Sequence, residues 1–182
     1  MVETPDQHWV DQARNGNEEG FAMLVNRYQN IVYHMAYRMT GDSAASEDIT
    51  QNTFLKAYNH LDTYNPDHRF FSWLYRIGVN EAINYIKRNR PGIPLDSRIR
   101  SSEKNPEERV LQDETRIQVQ NAVLSLPPRY RILIVMRHYQ NLSYQEMARA
   151  LQVPEKKIKA RLYRARQALR MQFIKEGLFS HE

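Results

Sequence analysis

The sequence contains no cysteine, which removes both a disulfide framework and thiolate metal sites. Long apolar runs are missing too: no window approaches the roughly 18 to 20 apolar residues that a membrane span needs. The 6 histidines show no metal-ligand spacing and there is no glycine-rich phosphate loop, so neither a metal nor a cofactor is expected. The N-terminal MVETPDQHW is too polar for a secretory signal. Alternating strand-type segments are scarce, which favours an all-α chain. A soluble cytoplasmic protein is the simplest expectation.

What is present is a globular composition with an uneven charge. Hydrophobic residues at 41% and charged residues at 26% lie near the globular norm, so disorder is not expected. The net charge of +5 hints at an anionic partner, and its placement says more than its size. Between Arg129 and Lys175 there are 12 Lys and Arg against 2 acids, Glu146 and Glu155. Like charges at helical spacing repel by roughly a few tenths of a kcal/mol per pair, a cost that an outside anion can offset.

Helical periodicity runs through most of the chain. Phe21, Leu24, Val25, Tyr28, Ile31, Val32, Met35, Ala36 and Met39 form one face of a helix that ends at Thr40-Gly41. A second helix is expected from about Ser46, with Ser46, Glu47 and Asp48 capping it and Ile49, Phe54, Tyr58 and Leu61 pointing inward. "YNPDHR" (64–69) reads as a turn, and a third helix is predicted from Phe70 to Arg88. Residues 91–106, with three prolines among Gly, Ser and charges, read as a flexible linker between two small domains, 1–90 and 107–182. Asn105-Pro106 then suits the start of a helix carrying Ile117, Val119, Val123, Leu124 and Leu126. Pro127-Pro128 breaks it, and another helix is expected from about Arg129 to Tyr139.

The segment "LSYQEMARALQVPEKKIKARLYRARQALR" has the form of a helix-turn-helix. Ser143 and Glu146 make an S-x-x-E capping box, and Met147, Ala148 and Leu151 line the inner face of the first helix. Ile158, Leu162, Ala165 and Leu169 step along one side of the second. Lys156, Lys159, Ala160, Tyr163 and Arg164 fall on other sides, where a helix in the major groove reads base edges. Arg149, Arg161, Arg166 and Arg170 suit neighbouring phosphates.

In the third helix, Phe70, Phe71, Trp73, Leu74, Tyr75 and Ile77 wrap right round the axis, more than one core face can hold. Most should still be core. A polar stripe of Arg76, Asn80, Asn84 and Lys87 runs beside them, and aromatics next to amide and basic groups suit single-stranded nucleic acid. On the second helix Asp48, Gln51, Asn52, Leu55 and Asn59 share a polar face, either an ordinary wet surface or a protein contact.

The order of these parts, "SEDITQNTFLKAYNHLDTYNPDHRFFSWLYRIGVNEAINYIKR" followed by "LPPRYRILIVMRHYQNLSYQEMARALQVPEKKIKARLYRARQAL", resembles the extracytoplasmic-function class of bacterial sigma factors. The resemblance spans roughly Gly20 to Leu169, apart from the linker. It implies a region 2 helical bundle and a region 4 helix-turn-helix in a dissociable subunit of RNA polymerase that carries out no bond chemistry. Asp48, Gln51, Asn52 and Leu55 line up with the patch that grips the coiled coil of the largest polymerase subunit, while the second-largest subunit contributes its flap. His68 and Arg69, with Arg76, Asn80, Asn84 and Lys87, match the part that captures the non-template strand of the −10 element. Tyr144, Arg149, Lys156, Lys159, Ala160, Arg161, Tyr163 and Arg164 fall on the unit that reads the −35 element of promoter DNA as a duplex. An anti-sigma factor, often membrane-bound, is a further partner the class implies. The chain departs from the class at two places: Asn52 replaces an acid, and "PEKKIKAR" stands where many members read "PxGTVKSR". Primary sigma factors carry a tandem-tryptophan wedge where this chain has Arg76-Ile77, which implies weaker melting and stricter promoter demands, as in the class generally.

Other readings explain less. A helix-turn-helix regulator that never joins polymerase accounts for residues 129 to 175 but leaves the first ninety without a role. An enzyme with a DNA-binding tail, such as a recombinase, needs a nucleophile, and Ser72 has no His or Asp partner implied by spacing. A helical scaffold with no nucleic-acid role leaves the basic helix unexplained.

Overall fold

The computed structural model describes residues 5–89, 107–175 and 177, with side chains from Asp6 in the first segment and from Thr115 in the second. The expected linker at 91–106 and the Asn105-Pro106 helix start lie outside the described residues. Among the described residues there are eight α-helices and no strand. The first unit holds α1 (Pro5–Arg14), α2 (Glu18–Thr40), α3 (Ser43–Asn59), a 3₁₀ turn (Leu61–Thr63) and α4 (Phe70–Arg88). The second holds α5 (Glu107–Ser125), α6 (Pro128–Ile134), a π-helical turn (Val135–Tyr139), α7 (Tyr144–Leu151) and α8 (Glu155–Lys175). No described helix is long and apolar enough to cross a membrane.

Local chemistry sets the helix ends. The Asn17 side chain accepts the Glu19 N–H and starts α2, with Glu18 and Glu19 at its positive end. Gly41 stops it at φ 74°, a left-handed conformation that glycine adopts without a Cβ clash, and its N–H bonds the Tyr37 carbonyl. Gly20 lets α1 lie directly on α2: a Cβ there would sit 2.6 Å from the Trp9 carbonyl oxygen. Helix α1 itself was not expected, because its polar sequence has little periodicity; Val10 alone is fully buried, and Asp6 accepts a hydrogen bond from the Tyr28 hydroxyl at 2.6 Å.

Several boundaries differ from the sequence reading. Asp42, not Ser46, caps α3 by accepting the Ala45 N–H, and Ser46 is buried one turn further on, donating to the Asp42 carbonyl. Tyr58 does not point inward. It is 48% exposed and meets Phe21 edge-on at 5.0 Å. The expected helix to Tyr139 loses α geometry at Val135, where five residues form the π-turn instead. The aromatic crowding of α4 resolves mostly into core: Phe70, Trp73, Leu74 and Tyr75 are buried, with Tyr64 packed against Phe70 and Trp73.

The two units pack against each other. Arg131 of α6 donates to the Met39 carbonyl at the end of α2 and to the Leu124 and Leu126 carbonyls at the end of α5, so one cation meets the negative ends of two helices. Burial lowers its pKa to about 10, which leaves it charged at neutral pH. Arg38 of α2 lies 3.5 Å over the Tyr139 ring and donates to the buried Gln120, whose amide donates back to the Tyr37 carbonyl.

Candidate nucleic-acid interface

The capped helix pair forms as its sequence predicts. The Ser143 hydroxyl accepts the Glu146 N–H at 3.2 Å, and the Glu146 carboxylate accepts the Ser143 N–H at 2.8 Å. Gln152, at φ 52°, ends α7, and Ile158, Leu162 and Ala165 seat α8 on the core. That leaves Lys156, Lys159, Ala160, Arg161, Tyr163 and Arg164 exposed, with Tyr163 at 65%. Tyr144 is half-buried between two cations, with Arg137 at 5.5 Å and Lys159 at 5.4 Å from its ring. The Glu155 carboxylate accepts from Lys159 at 2.6 Å and raises that ammonium's pKa, so the lysine stays protonated. His138 is pushed the other way, first by burial and then by Arg166 and Arg137, and as a neutral ring it can accept from Arg166 Nε at 3.4 Å.

The loop at 64–69 is held from three directions. The Tyr64 hydroxyl donates to the His68 carbonyl at 2.5 Å, and the Asn65 side chain accepts the Asp67 N–H at 2.9 Å. From α1, Arg14 donates to the carbonyls of Leu61, Asp62 and Tyr64 and lies over the Tyr64 ring. Helical spacing around Arg14 gave no hint of this role, since the contact joins residues about fifty positions apart. His68 and Arg69 flank a cleft of about 390 Å³ whose other walls include Asn65, Ser72, Trp73 and Arg76. Asn80, Asn84 and Lys87 are exposed farther along α4, and no described contact brings them to the cleft.

Arg149 faces this cleft as well, although its place in the sequence set it with the duplex-reading group. Gln152 is beside it, so the cleft is closed on one side by the second unit. Glu146 reaches across and pairs with Arg69 at 3.1 Å. Burial resists ionisation of Glu146, but the two Ser143 hydrogen bonds and the charges of Arg69 and Arg149 outweigh it, and its pKa lies below the usual value.

On α3, Asp48, Gln51, Asn52 and Leu55 are all exposed, with Leu55 at 63%, while Ile49, Thr53, Phe54 and Ala57 form the opposite, buried side. Tyr58 extends the exposed strip by one more turn. Lys56 ties α3 to α4 through Glu81 at 2.6 Å, which fixes the strip relative to the α4 stripe.

Comparison with known proteins places these faces in a family. Residues 24–91 match Sigma-70 region 2, and residues 116–169 match Sigma-70, region 4. The ECF RNA polymerase sigma factor SigW of Bacillus subtilis (strain 168) is 33% identical over 175 residues, covering 90% of this chain and 94% of SigW. The ECF RNA polymerase sigma-E factor of Escherichia coli (strain K12) is 35% identical over 177 residues, covering 90% and 92%. Among solved structures, CnrH in complex with the cytosolic domain of CnrY superposes with a TM-score of 0.71 at 26% identity, covering 93% of this chain and 97% of CnrH. The two matched regions, in this order on one all-helical chain, show that it belongs to the ECF RNA polymerase sigma factors.

Proposed function

We propose that this chain directs core RNA polymerase to promoters by reading the −35 element as a duplex and the −10 element as an unpaired strand. It joins the core enzyme reversibly, carries out no bond chemistry and uses no cofactor. The observation that carries the reading is three open polar faces on separate helical supports: the α3 strip, the α4 stripe with its loop, and the basic side of α8.

Each face has the chemistry its role demands. Asp48, Gln51, Asn52 and Leu55 offer the coiled coil of the largest polymerase subunit an amide-rich surface with one exposed aliphatic anchor. The second unit meets the flap of the second-largest subunit. On α8, Lys159, Tyr163 and Arg164 point away from the core and can enter a major groove, where each good bidentate contact gives about 1–3 kcal/mol of discrimination. Lys156 and Arg161 stand beside them for phosphates. His68, Arg69 and Arg76 line a cleft of about 390 Å³, roomy enough to admit a nucleobase, and Asn80, Asn84 and Lys87 are placed for a strand continuing along α4. A base flipped into that cleft costs a few kcal/mol of stacking, which hydrogen bonds and protein contacts offset. Two tethered readers then gain avidity from simultaneous engagement.

The protein works in the cytoplasm, and an anti-sigma factor restrains it. The solved complex of CnrH with the cytosolic domain of CnrY supports a protein partner of this kind. Run-off transcription with purified core polymerase tests the whole reading. Promoter-specific RNA appears only when the chain is added; a chain that binds duplex DNA without conferring initiation is a regulator instead.

A further inference from the structure

We propose that Arg137, His138 and Arg166 form an anion site that takes one backbone phosphate of the −35 duplex, beside the base-reading side of α8. The inference rests on the promoter-reading function proposed above and adds to it a contact whose strength depends on pH.

The cluster joins the π-turn to α8. Arg166 Nε lies 3.4 Å from His138 Nε2, and Arg137 is the preceding residue of the same turn. His138 and Arg166 are exposed and Arg137 is half-buried, so an anion can reach all three. Among the described residues neither Arg137 nor Arg166 has a carboxylate partner, whereas Lys56, Arg69 and Lys159 each have one. Two guanidinium groups therefore face one imidazole with no acid between them, a repulsion that a bound anion relieves. The other cations nearby are engaged elsewhere. From α6, Arg131 is directed to helix-end carbonyls and Arg129 to the Tyr130 ring, and from α2, Arg38 lies over the Tyr139 ring.

The position of the cluster identifies the anion. Arg137 donates to the Leu142 carbonyl at 3.0 Å, on the loop that leads into α7. It also lies 5.5 Å from the Tyr144 ring, which has Lys159 at 5.4 Å. A ridge thus runs from Arg166 through His138, Arg137 and Tyr144 to Lys159, where the base-reading side of α8 begins. Phosphates line both walls of a major groove that holds a helix, and donors beside the helix meet them.

The hydrogen bond from Arg166 requires His138 to accept at Nε2, which a neutral ring does. A phosphate reverses that polarity. His138 takes a proton from solvent, its Nε2–H donates to a phosphate oxygen, and Arg166 turns its N–H groups to the same anion. Burial and the two arginines hold the free imidazole below its ordinary pKa, and a neighbouring phosphate raises it. Duplex affinity therefore grows as pH falls from the bound-state value to the free-state value, and levels off below the latter.

The test uses the full chain and a duplex carrying the −35 element selected with wild-type holoenzyme. Wild-type affinity is expected to rise about threefold or more between pH about 8 and pH about 6. His138→Gln keeps a polar side chain that cannot gain a proton; it is expected to lose the rise and keep the wild-type sequence preference. Arg166→Gln is expected to lower the slope of log affinity against log salt by about one phosphate. Neutral methylphosphonate placed at single phosphates should find one position where the wild type loses its pH dependence. Wild-type affinity that does not change with pH, or a rise that His138→Gln retains, overturns the site. Weaker core-polymerase binding by both variants with unchanged duplex binding assigns the cluster to an acidic protein surface and overturns it as well. Each of these results leaves promoter reading standing. That reading falls, and the site with it, if the wild-type chain confers no promoter-specific initiation on core enzyme.

Discussion

Arg69, on the loop before α4, and Glu146, in the first turn of α7, form an ion pair of 3.1 Å between residues 77 positions apart. The same carboxylate accepts the Ser143 N–H that begins α7. One side chain thus caps the first helix of the DNA-binding pair and links it to the loop of the other unit. The pair is partly solvent-exposed, so its own energy is modest, about 1 kcal/mol or less.

That double role has a pH signature. Glu146 is held below the usual carboxylate range, so its contribution is complete above the unfolded-state pKa and is lost as pH falls through the lower folded-state value. Glu146→Gln keeps a capping-box residue and removes only the charge. Thermal unfolding is expected to show the variant less stable than wild type at neutral pH, with the gap closing as the medium is acidified below pH about 4. A gap that stays constant with pH contradicts the assignment.

Arg131→Met tests the buried cation between the helix ends. It removes donors to three carbonyls, and a charged hydrogen-bond donor serving buried groups is worth about 1.5–3 kcal/mol. Urea unfolding is expected to show a loss of about 3 kcal/mol. Arg131→Lys restores little, because a single ammonium has no planar fork to reach both helix ends. A loss below about 0.5 kcal/mol, as for an ordinary surface site, contradicts the account.

Arg14 holds the turn before α4 through three backbone carbonyls and the face of the Tyr64 ring. Arg14→Ala is expected to reduce open-complex formation on intact promoters several-fold while leaving core-polymerase affinity unchanged. A premelted promoter should not rescue it, since the loop proposed to receive the strand is itself displaced. Full rescue by premelting places the defect elsewhere.

Arg164→Ala should relax discrimination at one or two positions of the −35 element by about 1–3 kcal/mol each. Asn80→Ala should instead impair open-complex formation more than duplex binding. Uniform loss across all −35 sequences makes Arg164 a phosphate contact, and parallel loss in both steps removes Asn80 from the strand site.

The legible part of this molecule was its local chemistry. Phe70–Arg88 matches α4 from end to end because apolar periodicity, the preceding turn and the Pro91 stop agree. The Ser143–Glu146 box and the Ile158–Leu162–Ala165 seam were equally plain, because a cap and a helical stripe are written within a few residues. What could not be read was set by distance along the chain. Tyr58 has the spacing of a core residue, but the Phe21 edge it meets leaves its ring near the surface. Arg149 fits a phosphate-binding pattern, yet it faces the cleft of the other unit. Arg14 and Arg131 bond carbonyls, which carry no sequence signature at all. The π-turn at Val135 was not legible either, because its residues read as ordinary helix.

The most direct measurement of the central claim is RNA 5′-end sequencing from a randomised promoter library, transcribed by core polymerase with and without this chain. The account predicts new start sites that appear only with the chain and share two separated sequence windows. The upstream window should blur with Arg164→Ala and the downstream one with Asn80→Ala. Start sites that are the same in both reactions, or that lack any common upstream sequence, contradict it.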